Sequence, residues 1–348
     1  PYDPCVAKCT INRKQCAIVW YVDDNKISHM DPKVVSDIIE YIESKFGKMT
    51  VTRGKEHVFL GMDISFHDDG TVKVIMKDDI KEAIEDFDDE VTRTAATPAR
   101  KTLFEIDERS ETLGSAKKEN FHSVVAKLLY VSKRARLDIQ MAVSFLCTRV
   151  SCSTVQDWSK LKRVLEYLNG SLDEFLTLGA DDLRRMLTWV DASYAVHRDM
   201  KSHTGGTMSM GKGSIYSASK TQRLNTKSST EAELVGVDDV SAQILWTRYF
   251  LEGQGYKVKD NTLYQDNQSA MLLEKNGRAS SSKRTRHSNV RYFFVTDRIK
   301  SKEVSVEYCP TGEMIADYFT KPLQGSQFRK LRDIIMNVRR HKMVHFGN

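Results

Sequence analysis

Apolar residues at Val34, Val35, Ile38, Ile39 and Ile42 recur at the spacing that lays one stripe along a helix. Asp31-Pro32 predicts its start, with proline in the first turn, and Gly47 its end. Just before it, residues 17–20 form a short apolar run, Tyr21-Val22-Asp23-Asp24 interrupts the run, and residues 26–28 resume an extended path. This is the pattern of a hairpin with acids at its turn. Residues 57–66 read as one strand, Asp68-Asp69-Gly70 as a turn, and residues 71–76 as the next strand.

From residue 79 to 182 the pattern becomes mostly helical. Residues 80–87 predict a short acidic helix, and the polar, weakly patterned stretch 88–118 predicts a linker. Residues 121–150 and 155–168 carry apolar positions at helical spacing, and Asn169-Gly170 closes the second run.

Residues 186–348 alternate strand and helix. Strands are expected at 187–190, from Gly205-Gly206 onward, at 214–219, 262–264 and 304–308. A long helix should start at Ser228 and end near Gly253 or Gly255, and a last helix should start at about Glu313. Three strands, helix, strand, helices, strand, helix is an α/β order.

Four acids stand out by position. Asp191 ends a strand, Glu233 lies in the first turns of the long helix, Asp266 ends the next strand, and Asp317 falls early in the last helix. Strand ends and helix starts of one sheet converge on one edge. Carboxylates gathered there raise one another's pKa and are best tolerated with cations bound. Oxygen ligands without Cys or His suit Mg²⁺ or Mn²⁺. Taken one at a time, each acid is better read as a turn, cap or helix-dipole residue. Between Glu231 and Glu233, spacing favours Glu233 as the ligand, because it shares a face with Val237, Val240 and Ile244, while Glu231 is left as a helix-start acid.

Composition narrows the class. The chain has 348 residues, 40% hydrophobic and 29% charged, as in ordinary globular proteins. No apolar run approaches a membrane span, and no secretory leader opens the sequence. The first residue is Pro1, so a fragment or processed product is expected. Six dispersed cysteines fit reduced thiols in an intracellular protein, and no zinc site is expected. Lys and Arg number 28 against 31 acids in residues 1–185 but 25 against 16 in residues 186–348. The C-terminal part is therefore the better candidate for a polyanion partner.

Several strings resemble the copia type (Ty1/copia) of LTR retrotransposon Pol polyprotein. They are Ser228-Ser229-Thr230-Glu231-Ala232-Glu233, Asp266-Asn267-Gln268-Ser269-Ala270, Arg284-Thr285-Arg286-His287, and Ala316-Asp317-Tyr318-Phe319-Thr320-Lys321-Pro322-Leu323. Upstream, Tyr21-Val22-Asp23-Asp24 resembles the family's polymerase motif and Phe59-Leu60-Gly61-Met62 its primer grip. Arg136-Leu137-Asp138-Ile139 resembles the segment before its ribonuclease H, with Leu137 where proline is frequent. The strings run in order along nearly the whole chain.

The resemblance implies a multidomain α/β and α+β protein. Its parts are a partial reverse transcriptase palm over 1–78, a helical thumb and connection over 79–182, and a ribonuclease H domain with a five-stranded mixed sheet over 186–348. It implies an endonuclease that cuts the RNA strand of RNA–DNA hybrids, with two Mg²⁺ ions, or Mn²⁺, on Asp191, Glu233, Asp266 and Asp317. Asp23 and Asp24 would bind metal in the polymerase half. Polymerisation is not expected here, because the 20 residues before Tyr21 offer no credible earlier catalytic strand. Lys220, Arg223, Lys227, Arg284, Arg286 and His287 are candidate nucleic-acid contacts, and Lys117, Lys118, Lys127, Lys133, Arg134 and Arg136 could follow a duplex backbone. Cys309-Pro310-Thr311 stands where many ribonucleases H carry a mobile histidine. The implied partners are the hybrid or template-primer, and the missing polymerase part or other retroelement proteins, without a membrane. The implied setting is a cytoplasmic virus-like particle with a nuclear step. The alternative is an inactive nucleic-acid-binding remnant.

Overall fold

The computed structural model describes residues 3–277 and 289–338. Three sheets and the helices between them form a mixed α/β protein. No helix among the described residues is long and apolar enough to cross a membrane.

The first sheet is the antiparallel meander β1 (Val6–Ile11), β2 (Lys14–Tyr21) and β3 (Asp24–Ser28). Tyr21 pairs with Asp24, so the expected hairpin turns through Val22 and Asp23. β1 carries no acid. Helix α1 (Pro32–Phe46) begins as expected: the Asp31 side chain accepts from the Lys33 amide, and Gly47 stands at its C-cap.

The single strand expected at 57–66 is a hairpin, β4 (Glu56–Phe59) and β5 (Met62–Phe66). Leu60 and Gly61 both take positive φ, 53° and 68°, as a two-residue hairpin turn of the I′ kind requires. Tyr130 holds the turn by donating its hydroxyl to Leu60 O at 2.7 Å. β6 (Val72–Ile75) follows, then helix α2 (Lys77–Glu85).

The stretch 88–118 is no loose linker. Ala99, Leu103 and Leu113 are buried in the main core, and helix α3 (Ser115–Ser132) already begins inside it. The helical run expected over 121–150 breaks at 133–136, and a short 3-10 turn at Leu137–Ile139 leads into α4 (Gln140–Cys147). Helix α5 (Val155–Asn169) starts at a capping box, Thr154 with Asp157, and stops at Gly170. β7 (Leu176–Ala180) then returns to pair with β6.

The remaining strands are β8 (Arg185–Ser193), β9 (His203–Ser209), β10 (Gly211–Lys212), β11 (Ser214–Thr221), β12 (Asp260–Gln265) and β13 (Ser305–Tyr308). The second sheet has the order β10-β7-β6-β5-β4, so it draws strands from all three stretches of the chain. The third has the order β11-β9-β8-β12-β13. In it β8, β9 and β11 run antiparallel, while β12 lies parallel to β8 and β13.

This mixed sheet is covered on both faces. Met186 and Val190 pack with Val237, Val240 and Ile244 of helix α6 (Ser229–Gly253). Leu187 and Trp189, one residue out of phase, join the core of α3, α4 and α5. Helices α7 (Gln268–Asn276) and α8 (Asn289–Lys300) flank the parallel edge, and α9 (Gly325–Met336) closes the described chain.

The last helix does not start near Glu313. Residues Ile315–Phe319 form a 3-10 turn, and Pro322 accounts for the break: it lacks an amide proton and disfavours helical backbone at Lys321. Asp317 therefore sits on a tight turn rather than in an α-helix. That turn lies hard against β9. A Cβ built on Gly205 would come within 2.6 Å of Thr320 Cγ2 and 2.8 Å of Ala316 O. Gly205→Ala is expected to lower unfolding stability by about 1–3 kcal/mol, since backbone must move. Urea midpoints measure this, and an unchanged midpoint would show that the turn shifts freely.

Candidate metal centre

Three acids from three elements meet at the end of the mixed sheet. Asp191 lies near the end of β8, Asp266 directly follows β12, and Glu233 is in the second turn of α6. Local sequence explains each placement. β8 and β12 are parallel neighbours, so their C-terminal ends lie side by side. Ser228 caps α6 by accepting from the Glu231 amide. Asn267 likewise caps α7, accepting from the Ala270 amide at 3.0 Å, which leaves Asp266 clear of the capping role.

One carboxylate oxygen from each of Asp191, Glu233 and Asp266 lies within 4.8 Å of the others. Asp191 and Glu233 are buried, at 3% and 5% exposure. Glu231 points elsewhere, accepting from the Lys227 amide at 2.7 Å. Burial raises the Glu233 carboxyl far above its ordinary range, and the Asp191 and Asp266 charges add to the rise. Asp191 is raised by burial too, although Lys321 and the Thr320 hydroxyl partly restrain it. The donor set is all carboxylate, as hard divalent cations prefer. Glu233 Oε2 is buried without a hydrogen-bond partner, which in a polar site marks a missing cation or water. The residues present therefore fit a metal ion.

Asp317, the fourth expected acid, is buried beside this triad and engages a lysine. Lys321 Nζ donates to Asp317 Oδ1 at 2.6 Å and lies 3.6 Å from Asp191 Oδ2. Burial and the Asp191 charge push Asp317 up to about 7. Burial disfavours the Lys321 ammonium, but Asp191 and Asp317 more than offset that and hold it protonated. Thr320 donates its hydroxyl to Asp191 Oδ2, and Thr311 donates to Asp266 Oδ2 at 2.9 Å. Sequence reading missed these three residues. The i,i+4 spacing of Asp317 and Lys321 was the available signal.

The other expected contacts are scattered. Asp23 and Asp24 are exposed at the β2–β3 turn, and among the described residues no further acid, histidine or cysteine gathers with them into a metal-binding group. Lys220 is exposed and pairs with Asp239 at 3.2 Å, while Arg223 and Lys227 are exposed. Arg284, Arg286 and His287 lie outside the described residues. Arg136 cannot follow a duplex backbone: it is fully buried, forked onto Asp138 at 3.0 and 2.8 Å. Lys127 is held by Glu82 and Asp86.

A carboxylate triad, two of its members buried, where parallel strands end beside a helix start is a group that could hold a metal ion on a mixed sheet. The homologues of this chain are the retrovirus-related Pol polyproteins of copia-type transposons. It is 26% identical over 342 residues to the Pol polyprotein from transposon TNT 1-94 of Nicotiana tabacum, a match covering 96% of this chain and 25% of that protein. With the Pol polyprotein from transposon RE2 of Arabidopsis thaliana it shares 30% identity over 211 residues, covering 60% of this chain and 14% of the relative. With that from transposon RE1 of the same plant it shares 26% over 314 residues, covering 89% and 21%. The chain thus spans a quarter or less of the length of these relatives. No family model matches the chain, and no solved structure matches it.

Proposed function

We propose that this chain is the C-terminal part of a copia-type reverse transcriptase and that residues 186–348 form its ribonuclease H, a divalent-metal endonuclease cutting the RNA strand of RNA–DNA hybrids. The single observation that carries this reading is the triad of buried Asp191 and Glu233 with half-buried Asp266, in which the Glu233 Oε2 oxygen is unpartnered. The palm role for residues 1–78 and the thumb and connection role for 79–182 belong to the same reading.

Bound at these carboxylates, divalent cations supply an activated water and neutralise charge developing on the phosphate. Asp191, Glu233 and Asp266 would hold them, with Asp317 completing the set. The protein's own groups then do the positioning. The Thr320 hydroxyl fixes one oxygen of Asp191. Thr311 does the same for Asp266. Lys321 supplies a fixed positive charge where four acids would otherwise repel one another and an incoming phosphate.

In the stretch read as palm, β1 carries no acid, and among the described residues no third metal-binding side chain gathers with Asp23 and Asp24. The test is cleavage of a hybrid labelled on each strand, with Mg²⁺ or with EDTA, wild type beside Asp266→Asn. Cutting of the RNA strand alone, abolished by EDTA and by the substitution, is the expected result. A folded protein that binds hybrid and cuts neither strand would leave the inactive remnant instead.

A further inference from the structure

A second charged cavity lies away from the acid triad. It is about 400 Å³, set between the segment around Pro98–Leu103 and one face of α5. Ser159, Lys162, Arg163 and Glu166, at helical spacing, form one wall. Arg100 stands opposite, and Lys160 lines it as well. Four cations thus face one cavity against the single carboxylate of Glu166.

Two of those cations are already engaged: Lys162 pairs with Asp89 at 3.0 Å, and Lys160 donates to Glu105 O at 2.6 Å. The two arginines are different. Among the described residues, neither Arg100 nor Arg163 lies in an ion pair. Arg163 donates through Nη2 to the neutral Thr97 hydroxyl at 3.0 Å, and its Nε is buried with no acceptor. Burial and the neighbouring Arg100 charge both disfavour the Arg163 cation, and the Glu166 charge offsets them only in part. Two guanidinium groups that line one cavity outside any ion pair suit an oxyanion with several acceptor oxygens.

The cavity also adjoins a cleft that reaches Lys321. It shares Pro98 and Ala99 with that narrower cleft, whose other wall includes Lys321 and Pro322. Thr97, which receives Arg163, bonds Gln324 at 3.1 Å, and Gln324 in turn donates to Pro322 O at 3.1 Å. A chain of hydrogen bonds through neutral groups therefore links the segment after Lys321 to Arg163.

We propose that Arg100 and Arg163 form a phosphate-binding site, filled by a backbone phosphate of nucleic acid or by a free phosphoanion. The choice of nucleic acid rests on the nuclease reading above, while the anion site itself does not. Two measurements on wild type, Arg100→Gln and Arg100→Gln/Arg163→Gln test it. One is thermal unfolding in sodium pyrophosphate against sodium chloride of equal ionic strength. The other is binding of a fluorescent RNA–DNA hybrid in EDTA across a salt series. Backbone occupancy predicts that the slope of log affinity against log salt falls by about one in the variants, as expected for one lost phosphate contact. Free-anion occupancy predicts a pyrophosphate stabilisation of wild type that both variants lose, with hybrid binding unmoved. Arg100 is exposed, so Arg100→Gln alone should fold normally. Unchanged salt slope and unchanged pyrophosphate response in that variant would overturn the proposal. A wild type that fails to cut hybrid yet keeps the arginine-dependent anion response would sink the nuclease reading and leave this site standing.

Discussion

Without divalent metal at neutral pH, Glu233→Gln should unfold at a higher temperature than the wild type, and it should cut hybrid roughly a thousandfold more slowly once Mg²⁺ is added, a loss worth several kcal/mol. The stabilisation follows from the apo site. Glu233 is buried, faces two other carboxylates, and has one oxygen with no partner. Its folded pKa lies above the unfolded one, so the unfolded state ionises first as pH rises past its ordinary value of 4.5. Wild-type stability therefore falls between that pH and the raised folded pKa, and the glutamine removes this slope. The gain should be about 1–3 kcal/mol at neutral pH and vanish in acid, below the unfolded pKa. Thermal scans with and without Mg²⁺ separate the roles. Wild type should be stabilised by metal and the variant should not. A variant that keeps the full metal-induced shift would remove Glu233 from the ligand set.

Arg136→Met is expected to cost about 3–5 kcal/mol of unfolding free energy, the largest loss from any single change outside the metal centre. Arg136 and Asp138 are both buried, and their fork is completed by Ser171, which accepts from the guanidinium at 2.9 and 2.8 Å, and by Tyr167, whose hydroxyl donates to Asp138 Oδ2 at 2.6 Å. Tyr318, beside Asp317, donates to Asp138 O at 3.3 Å and so ties this network to the turn that bears the fourth acid. Burial would raise the Asp138 carboxyl, but the Arg136 guanidinium outweighs it and holds the group below its usual value. The contribution is thus present at neutral pH and lost as pH falls through that depressed pKa. Removing Arg136 alone strands a buried anion. Arg136→Met/Asp138→Leu should recover more than half of the loss, because no charge is then left without a partner. Denaturant unfolding of both variants decides it. A single substitution costing under about 1 kcal/mol would mean that water reaches Asp138.

The acidic cluster is more legible in the sequence than the residues around it. Asp191, Glu233 and Asp266 announce themselves because strand ends and a capped helix start are local patterns, and helical phase alone separates Glu233 from Glu231. Asp317 reads from the sequence as early in a helix but sits on a 3-10 turn, because Pro322 five residues on keeps the helix from starting there. Lys321 and Thr320 were missed because their role depends on β9 lying against the turn, a contact distant in sequence. Arg136 failed in the opposite direction. A lysine- and arginine-rich run reads as surface, and only Tyr167 and Ser171, brought in from α5 and its end, show it to be core. The hairpin at Leu60-Gly61 was hidden because a leucine with positive φ carries no signal in its side chain.

The shortest strand joins two stretches of the chain. β10 is two residues long, yet Gly211 and Lys212 pair with Ala180 and Gly179 across the junction between the middle and C-terminal stretches. Gly213, just after it, runs so close to β7 that a Cβ there would lie 2.2 Å from Thr177 O. Residues 181–185 therefore look like a hinge in the sequence but behave as a stitched seam. Recombination that swapped the C-terminal unit for a foreign one at this point would strip β7 of β10, leave a bare sheet edge, and ask the newcomer to match a glycine-tight groove. In such a lineage the two units should be inherited as one cassette.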